Sequence, residues 1–189
     1  NPGLLAAVGT AAAWGDYDND GDLDLYVAGG GYDFPEGTKS YTDRLYINDG
    51  KGNFSKSPNS MPAIMSNGSC VKAIDFDKDG DLDLFVGGRL VPHKYPFPAR
   101  SYILENKSAN GIVKFEDVTT SVAPDLLNAG MVTSAFCSDI DNDHWTDLVI
   151  AGEWMPISIY KNIHGKFKKT TIEETKGWWF SINGADFDK

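Results

Sequence analysis

The sequence predicts an all-β protein built from repeated four-stranded units, and three observations lead to this prediction. A long motif recurs along the chain, short apolar runs alternate with a period of two, and no long window carries the apolar stripe of an amphipathic helix. Repeats several tens of residues apart are typical of solenoids and propellers. Four short antiparallel strands form one blade of a β-propeller, so propeller blades are the predicted fold class.

The repeated motif appears four times. It is WGDYDNDGDLDLYVAGG at Trp14, AIDFDKDGDLDLFVGGR at Ala73, CSDIDNDHWTDLVIAGE at Cys137, and a last copy cut short after GADFDK at Gly184. Apolar and polar residues alternate after each acidic stretch, for example Leu23, Leu25 and Val27. Both faces of these strands are partly apolar, which is typical of strands that are covered on both sides.

A second pattern follows each motif and completes the unit. It consists of a short apolar run, an Asn, a turn with Gly, and a Phe, as in RLYINDGKGNF from Arg44 and ISIYKNIHGKF from Ile157. This pattern predicts a hairpin, which brings each unit to about four strands. The predicted organisation is one partial propeller over residues 1–189, about three and a half blades, with blades at 10–57, 69–120 and 132–172 and a truncated one at 178–189.

Acidic loops open the units, and their density predicts bound cations. Five carboxylates within nine residues repel one another in a tight loop unless a divalent cation binds them, and oxygen-only ligands favour Ca²⁺ over Zn²⁺. Loop positions 1, 3, 5 and 9 supply carboxylates and position 7 a backbone carbonyl. The predicted ligands are Asp16, Asp18, Asp20, Asp24 and the carbonyl of Asp22 in loop 1, and Asp75, Asp77, Asp79, Asp83 and the carbonyl of Asp81 in loop 2.

The third loop departs from the pattern at position 6, where His144 replaces Gly. His is one of the few residues other than Gly that are enriched at positive φ, so a third, weaker Ca²⁺ site is expected. Its predicted ligands are Asp139, Asp141, Asp143, Asp147 and the carbonyl of Trp145. The fourth copy offers only Asp186 and Asp188.

The acidic loops have other possible interpretations. An EF-hand needs a Glu at position 12 and flanking helices, whereas position 12 is Val27, Val86 or Ile150 here and the flanks alternate like strands. A dockerin-type loop needs the same helices. Acidic turns that are simply solvated, without metal, remain an alternative.

Composition limits the classes of partner. The chain has 189 residues, with 17 Lys and Arg against 27 Asp and Glu, and a formal net charge of −10. A nucleic-acid partner is disfavoured because its backbone would be repelled. No apolar stretch is long enough to span a membrane. The chain starts with Asn-Pro and shows no signal peptide, which is therefore expected to be absent or already removed.

The pattern D-x-D-x-D-G-x-x-D followed by LDLYVAGG or LDLFVGGR resembles the FG-GAP/VCBS repeat of integrin α-subunit propellers and of many secreted bacterial proteins. GGRLVPHKYPFPARSYILEN, AGEWMPISIYKN and GWWFSINGADFD are similar to the bacterial branch related to cartilage acidic protein. The resemblance implies structural calcium in the loop between the first two strands of each blade, a ring of about seven blades, and an extracellular or cell-surface location. The missing blades would come from the rest of the protein or, alternatively, from a second copy of the chain.

The long connections after the second strand are candidates for ligand recognition, or alternatively they pack against a neighbouring blade or a missing domain. They contain Tyr32, Phe34, His93, Tyr95 and Phe97 on loops stiffened by proline, and the resemblance places them opposite the calcium loops. Adhesion, or binding of a protein or carbohydrate, is the expected function. The alternative is a calcium-dependent, polysaccharide lyase-like enzyme. It would use Arg89, His93, Lys94 or Arg100, although no catalytic motif is present and no catalytic residue is predicted.

Overall fold

The computed structural model describes residues 9–187, which form three antiparallel sheets. The strands of the first sheet pair in chain order and are β1 (Gly9–Gly15), β2 (Asp24–Gly29), β3 (Arg44–Asn48) and β4 (Phe54–Lys56). The second sheet has the same order, with β5 (Gly68–Ile74), β6 (Asp83–Gly88), β7 (Tyr102–Asn106) and β8 (Phe115–Asp117). Each of these two sheets is an up-and-down blade.

The third sheet contains β9 (Met131–Ser138), β10 (Asp147–Asn162) and β11 (Phe167–Trp178), in the order β11-β10-β9. A straight strand as long as β10 would separate its ends by about 50 Å. Instead, the backbone N–H of Asn162 donates to the Asp147 carboxylate at 2.8 Å. β10 therefore turns back on itself, near Trp154 with its φ of 61°, and its two halves take the places of the second and third strands of a blade.

Helix is almost absent from the described residues. The connection between the second and third sheets holds the one-turn α1 (Thr119–Val122) and a short 3₁₀ segment (Pro124–Asn128), and a second 3₁₀ turn (Lys39–Tyr41) precedes β3. The predicted fold class, all-β with propeller blades, is confirmed.

Two apolar clusters lie between neighbouring sheets. Tyr17, Tyr26, Leu45, Leu84 and Leu104 belong to the cluster between the first and second sheets. A second cluster joins the second and third sheets and is formed by Phe76, Phe85, Ile103, Leu126, Leu148, Ile150, Tyr160 and other buried residues. The alternation in the sequence arises here, because a sheet packed between two others buries side chains on both faces.

Hydroxyl groups on the first strand of each sheet donate to the backbone near the start of the next repeat unit. Ser69 Oγ donates to the carbonyl of Val132 at 2.5 Å, and Thr10 Oγ1 makes the corresponding bond to Gly68. Thr133 Oγ1 donates to the carbonyl of Trp179 at 2.6 Å. Each donor lies six residues before the first Asp of its own loop. The sequence repeat therefore places a hydroxyl donor at the same position in each of the three units.

The second strand of each sheet ends at a glycine that lies against another backbone segment. A Cβ added to Gly29, Gly88 or Gly152 would lie 2.0–2.1 Å from the carbonyl oxygen of Tyr41, Arg100 or Met131, respectively. No side chain fits in that space, which explains why this glycine recurs in all three units.

Up-and-down connectivity separates two ends of the molecule. The connections between the first and second strands and between the third and fourth strands lie at one end, called the acidic end here because it holds the Asp-rich loops. The connections between the second and third strands lie at the other end, called the opposite end. The predicted acidic loops and the predicted recognition loops are thereby held apart by the length of a strand.

Candidate metal centres

Each sheet brings three aspartates of its acidic loop together. Carboxylate oxygens within 4.8 Å of one another come from Asp16, Asp18 and Asp24 in loop 1, from Asp75, Asp77 and Asp83 in loop 2, and from Asp139, Asp141 and Asp147 in loop 3. These are positions 1, 3 and 9 of each loop. The three triads could hold a metal ion.

The aspartate at position 9 is buried and ties three segments together. Asp24 Oδ2 accepts the backbone N–H of Tyr17 at 2.9 Å, and Asp24 Oδ1 accepts the backbone N–H of Asn48 at 2.9 Å. Asp83 and Asp147 repeat both hydrogen bonds with their own loops and third strands. This carboxylate therefore joins the start of the second strand to the loop and to the third strand.

The aspartate at position 1 closes its own loop. In loop 1, Asp16 Oδ1 accepts the backbone N–H of Asp20 at 3.1 Å and Oδ2 accepts that of Gly21 at 3.0 Å. Residues at positions 4 and 6 have positive φ in all three loops, with Asn19 at 62° and Gly21 at 94° in loop 1. The tight reversal turns the carboxylates inward.

Position 6 of the third loop keeps this geometry without a glycine. His144 has a φ of 69°, and its backbone N–H donates to Asp139 Oδ2 at 2.8 Å, as Gly21 does to Asp16. The imidazole is exposed. His144 thus leaves the backbone of the loop like that of the other two.

Positions 5 and 7 lie in the loops but outside the triads. Asp20, at position 5, accepts the backbone N–H of Asp22, at position 7, at 2.9 Å. Asp79 with Asp81, and Asp143 with Trp145, repeat this bond at the same distance. The structure therefore gathers three of the four predicted carboxylates in each loop. Asp186 of the fourth copy lies in the described part of the chain, and Asp188 lies outside it.

Electrostatics inside the triads favours a cation. Burial raises the pKa of Asp83 to about 7, and it also raises the pKa values of Asp18, Asp24 and Asp77, with further contributions from neighbouring carboxylates. Asp18 Oδ1 is buried and accepts no hydrogen bond. The donor set consists of carboxylate oxygens and includes a buried oxygen that lacks a partner, so these residues fit a hard divalent cation.

Hydrogen bonds also connect the loops of neighbouring sheets. Asn106 Nδ2 donates to the carbonyl of Tyr17 in loop 1 at 3.1 Å, and Asn162 Nδ2 donates to the carbonyl of Phe76 in loop 2 at 2.7 Å. Sequence reasoning recognised this Asn as part of the hairpin pattern but missed its role. The sequence signal for this role was that an Asn directly follows the third apolar run of every unit.

The opposite end carries an aromatic surface, formed by Tyr95, Trp154, Trp178 and Phe180. Trp154 Nε1 donates to the Tyr95 hydroxyl at 2.7 Å, the Trp154 and Trp178 rings are 5.1 Å apart, and Trp178 lies 6.0 Å from Phe180. All four side chains are exposed, Trp154 at 56%. Of these four residues only Tyr95 was among the predicted recognition residues.

The cationic residues of the opposite end are engaged with other side chains. Arg89 Nε donates to the buried Glu153 of the next sheet at 2.7 Å, and Lys94 pairs with Glu36 at 3.0 Å. Arg100 pairs with Asp117 at 2.6 Å and lies over the Tyr102 ring. His93 packs against Tyr32 with ring centroids 4.6 Å apart. A cavity of about 540 Å³ lies beside Arg100 and Asp117.

Three blades of a β-propeller with an aspartate triad in each first loop define the class of this protein as a partial repeat propeller. Comparison with known families agrees: residues 16–86 match the family model of the FG-GAP-like repeat. This stretch runs from the first acidic loop to the second strand of the second sheet, and the match confirms the resemblance of this part of the chain to the FG-GAP repeat. A search of curated proteins found no match. Among residues 9–187, no helix is long and apolar enough to cross a membrane.

Replacing Asn106 by Ala should destabilise the protein more than replacing Asn48 by Ala. Both side chains donate to their own loop at 3.3 Å, but only Asn106 also bonds to a neighbouring sheet. Loss of this buried bond should lower the free energy of unfolding by about 1–3 kcal/mol. Urea unfolding of both variants measures the loss of unfolding free energy. Equal losses in the two variants would contradict the role given to the inter-sheet bond.

The metal-free protein should lose stability as the pH rises from about 4 to about 7. Because the folded protein raises the pKa of Asp83 to about 7, it binds this proton more tightly than the unfolded chain does. The stabilisation by this proton is complete below the ordinary pKa of an aspartate. It is lost as the pH rises through the pKa of Asp83 in the folded protein. Thermal unfolding in EDTA across this range tests it. Asp83→Asn should flatten the slope and the exposed control Asp33→Asn should not.

Proposed function

We propose that this protein is a calcium-stabilised propeller module that binds a protein or carbohydrate ligand outside the cell. The observation that carries the proposal is the recurrence of the aspartate triad in the same position of three successive blades. One acidic cluster would be a weak signal. Three clusters in register, each anchored through a buried carboxylate to the third strand of its blade, favour a common ligand for all three.

Calcium is the cation that suits these loops best. It takes six to eight oxygen ligands in a flexible arrangement, whereas Mg²⁺ demands a near-ideal octahedron and keeps much of its water. Each loop offers three converging carboxylates, a further carboxylate at position 5 and backbone carbonyls on a turn of irregular geometry. Bound calcium would neutralise carboxylates that otherwise repel one another, and so hold the first two strands of the blade together.

The aromatic surface is the proposed ligand-binding surface. Trp154 sits at a φ of 61°, in a region that bulky side chains rarely adopt, and its ring nevertheless points outward and is fixed by Tyr95. Backbone strain that presents an exposed aromatic ring is typical of functional sites. Exposed Trp and Tyr rings with a polar edge suit protein interfaces and the apolar faces of sugars.

Binding is proposed rather than catalysis. The alternative, a lyase-like enzyme, would need Arg89, His93, Lys94 or Arg100 to meet an acidic saccharide. The two arginines and the lysine already have carboxylate partners, and His93 packs against the Tyr32 ring. An extracellular location is part of the proposal, because calcium sites of moderate affinity fill readily where calcium is abundant. Support for it comes from the FG-GAP-like repeat and the acidic loops.

Calcium should raise the thermal unfolding midpoint of the 189-residue chain well above its value in EDTA. A ligand at about 100 times its dissociation constant adds about 2.7 kcal/mol per site. Mg²⁺ at the same concentration should act much more weakly. Asp18→Ala should remove one site, with Asp33→Ala as the matched control. No shift at millimolar calcium would overturn the calcium proposal.

Removing the Trp154 ring should abolish ligand binding without unfolding the blade. Trp154→Gly suits this test because glycine tolerates a positive φ, so the variant relieves strain while it deletes the ring. Retention on immobilised polygalacturonate, neutral xylan and fibronectin would be compared for the wild type and the variant. Phe54→Ser, which deletes an exposed ring at the acidic end, is the control. If a matrix retains the wild type and retains Trp154→Gly equally well, the proposed surface is contradicted.

A further inference from the structure

The residue just before the anchoring Asn of the third strand differs in charge among the three blades. It is Ile47 in the first blade, Glu105 in the second and Lys161 in the third. The backbone position is the same in all three, because the following Asn donates its N–H to the position-9 aspartate at 2.8–2.9 Å in each blade. Each blade therefore places a neutral, an acidic or a basic side chain beside an otherwise similar loop.

Lys161 reaches into the third loop. Its ammonium group forms an ion pair with Asp141, at position 3, and a second one with Asp143, at position 5, where Nζ lies 3.5 Å from the carboxylate oxygen. Asp141 is a member of the triad. The ammonium group thus supplies positive charge to two of the carboxylates that a metal ion would need.

Glu105 adds no net charge to the second loop, because its carboxylate forms an ion pair with Lys107. The clear contrast is therefore between the first and third loops. Loop 1 has five aspartates beside the apolar Ile47, whereas loop 3 has four aspartates opposed by Lys161. The negative charge available to a cation is lower in loop 3 than in loop 1.

We propose that Lys161 is a built-in cation of the third loop, and that its ammonium group lowers the cation affinity of loop 3 below that of loop 1. The inference rests on the proposed function, since it concerns the affinities of the proposed calcium sites. It also gives the third site a different cause of weakness from the one that the sequence indicated. His144 preserves the loop geometry, whereas Lys161 competes for its carboxylates.

Replacing Lys161 by Ile tests the competition. Isoleucine occupies this position in the first blade, so the variant is compatible with the fold. Removing a positive charge in contact with the site should tighten cation binding at loop 3 by about tenfold or more. Lys161→Glu should tighten it further. Lys168→Ile is the matched control, because Lys168 is the exposed cross-strand neighbour of Lys161 and its loss changes the net charge equally.

Terbium luminescence sensitised by tryptophan reports the third loop once the two neighbouring signals are removed. Trp145 belongs to loop 3, but Lys78 of loop 2 lies 4.4 Å from the centre of its ring. The background therefore combines Trp14→Phe, which removes the tryptophan nearest loop 1, with Asp77→Ala, which removes the loop 2 site. Terbium titration of this background, with and without Lys161→Ile, gives the affinity of site 3, and Trp145→Phe should abolish the signal. Calorimetric titration with Ca²⁺ of the wild type and the same variants counts the sites.

The outcomes separate the two proposals. Tighter terbium and calcium binding at loop 3 in Lys161→Ile, but not in Lys168→Ile, supports the built-in cation. Unchanged affinity of loop 3 while loops 1 and 2 bind calcium overturns this inference and leaves the calcium proposal standing. Equal tightening by the two variants would show a general effect of net charge and would also overturn it. Failure of all three loops to bind calcium would overturn the proposed function itself.

Discussion

The structure depends on one buried carboxylate in each blade. Asp24, Asp83 and Asp147 each accept a backbone N–H from the loop before the second strand and another from the third strand. One side chain thereby fixes the acidic loop, the second strand and the third strand in a single arrangement. The same carboxylate is a member of the triad, so the geometry of the blade and the geometry of the candidate metal centre are set by the same hydrogen bonds.

This double role explains why acidic residues are concentrated in the loops. A carboxylate with both oxygens bound to backbone N–H groups is satisfied as an acceptor, yet burial and the neighbouring aspartates still disfavour its charge, as the raised pKa of Asp83 shows. A cation at the triad would remove the repulsion without breaking the hydrogen bonds. In the third blade, a lysine of the third strand forms an ion pair with one of these carboxylates and so relieves part of the repulsion.

Contacts between sheets fix how each blade packs against the next one. Three kinds of contact join successive sheets. They are the apolar clusters, the hydroxyl groups of Thr10 and Ser69, and the side chains of Asn106 and Asn162. Repeat proteins are stabilised largely by such interfaces between neighbours. Because the strands run up and down, the aromatic surface stays at the end remote from the acidic loops, and it can vary without disturbing them.

The sequence by itself determined the repeat, the all-β blades and the acidic loops, because these depend on residues close together in the chain. Alternation within a strand and spacing within a nine-residue loop are local, and so the carboxylates at positions 1, 3, 5 and 9 could be named in advance. The structure brings those at positions 1, 3 and 9 together and leaves position 5 outside the triads. Only the tertiary structure decided which distant side chains meet those loops. Lys161 lies 20 residues from Asp141, and Asn106 lies 89 residues from the carbonyl it binds. Strand pairing within the third blade brings Lys161 to Asp141, and stacking of the first two blades brings Asn106 to the carbonyl of Tyr17. Local spacing in the sequence does not give the partner in either contact.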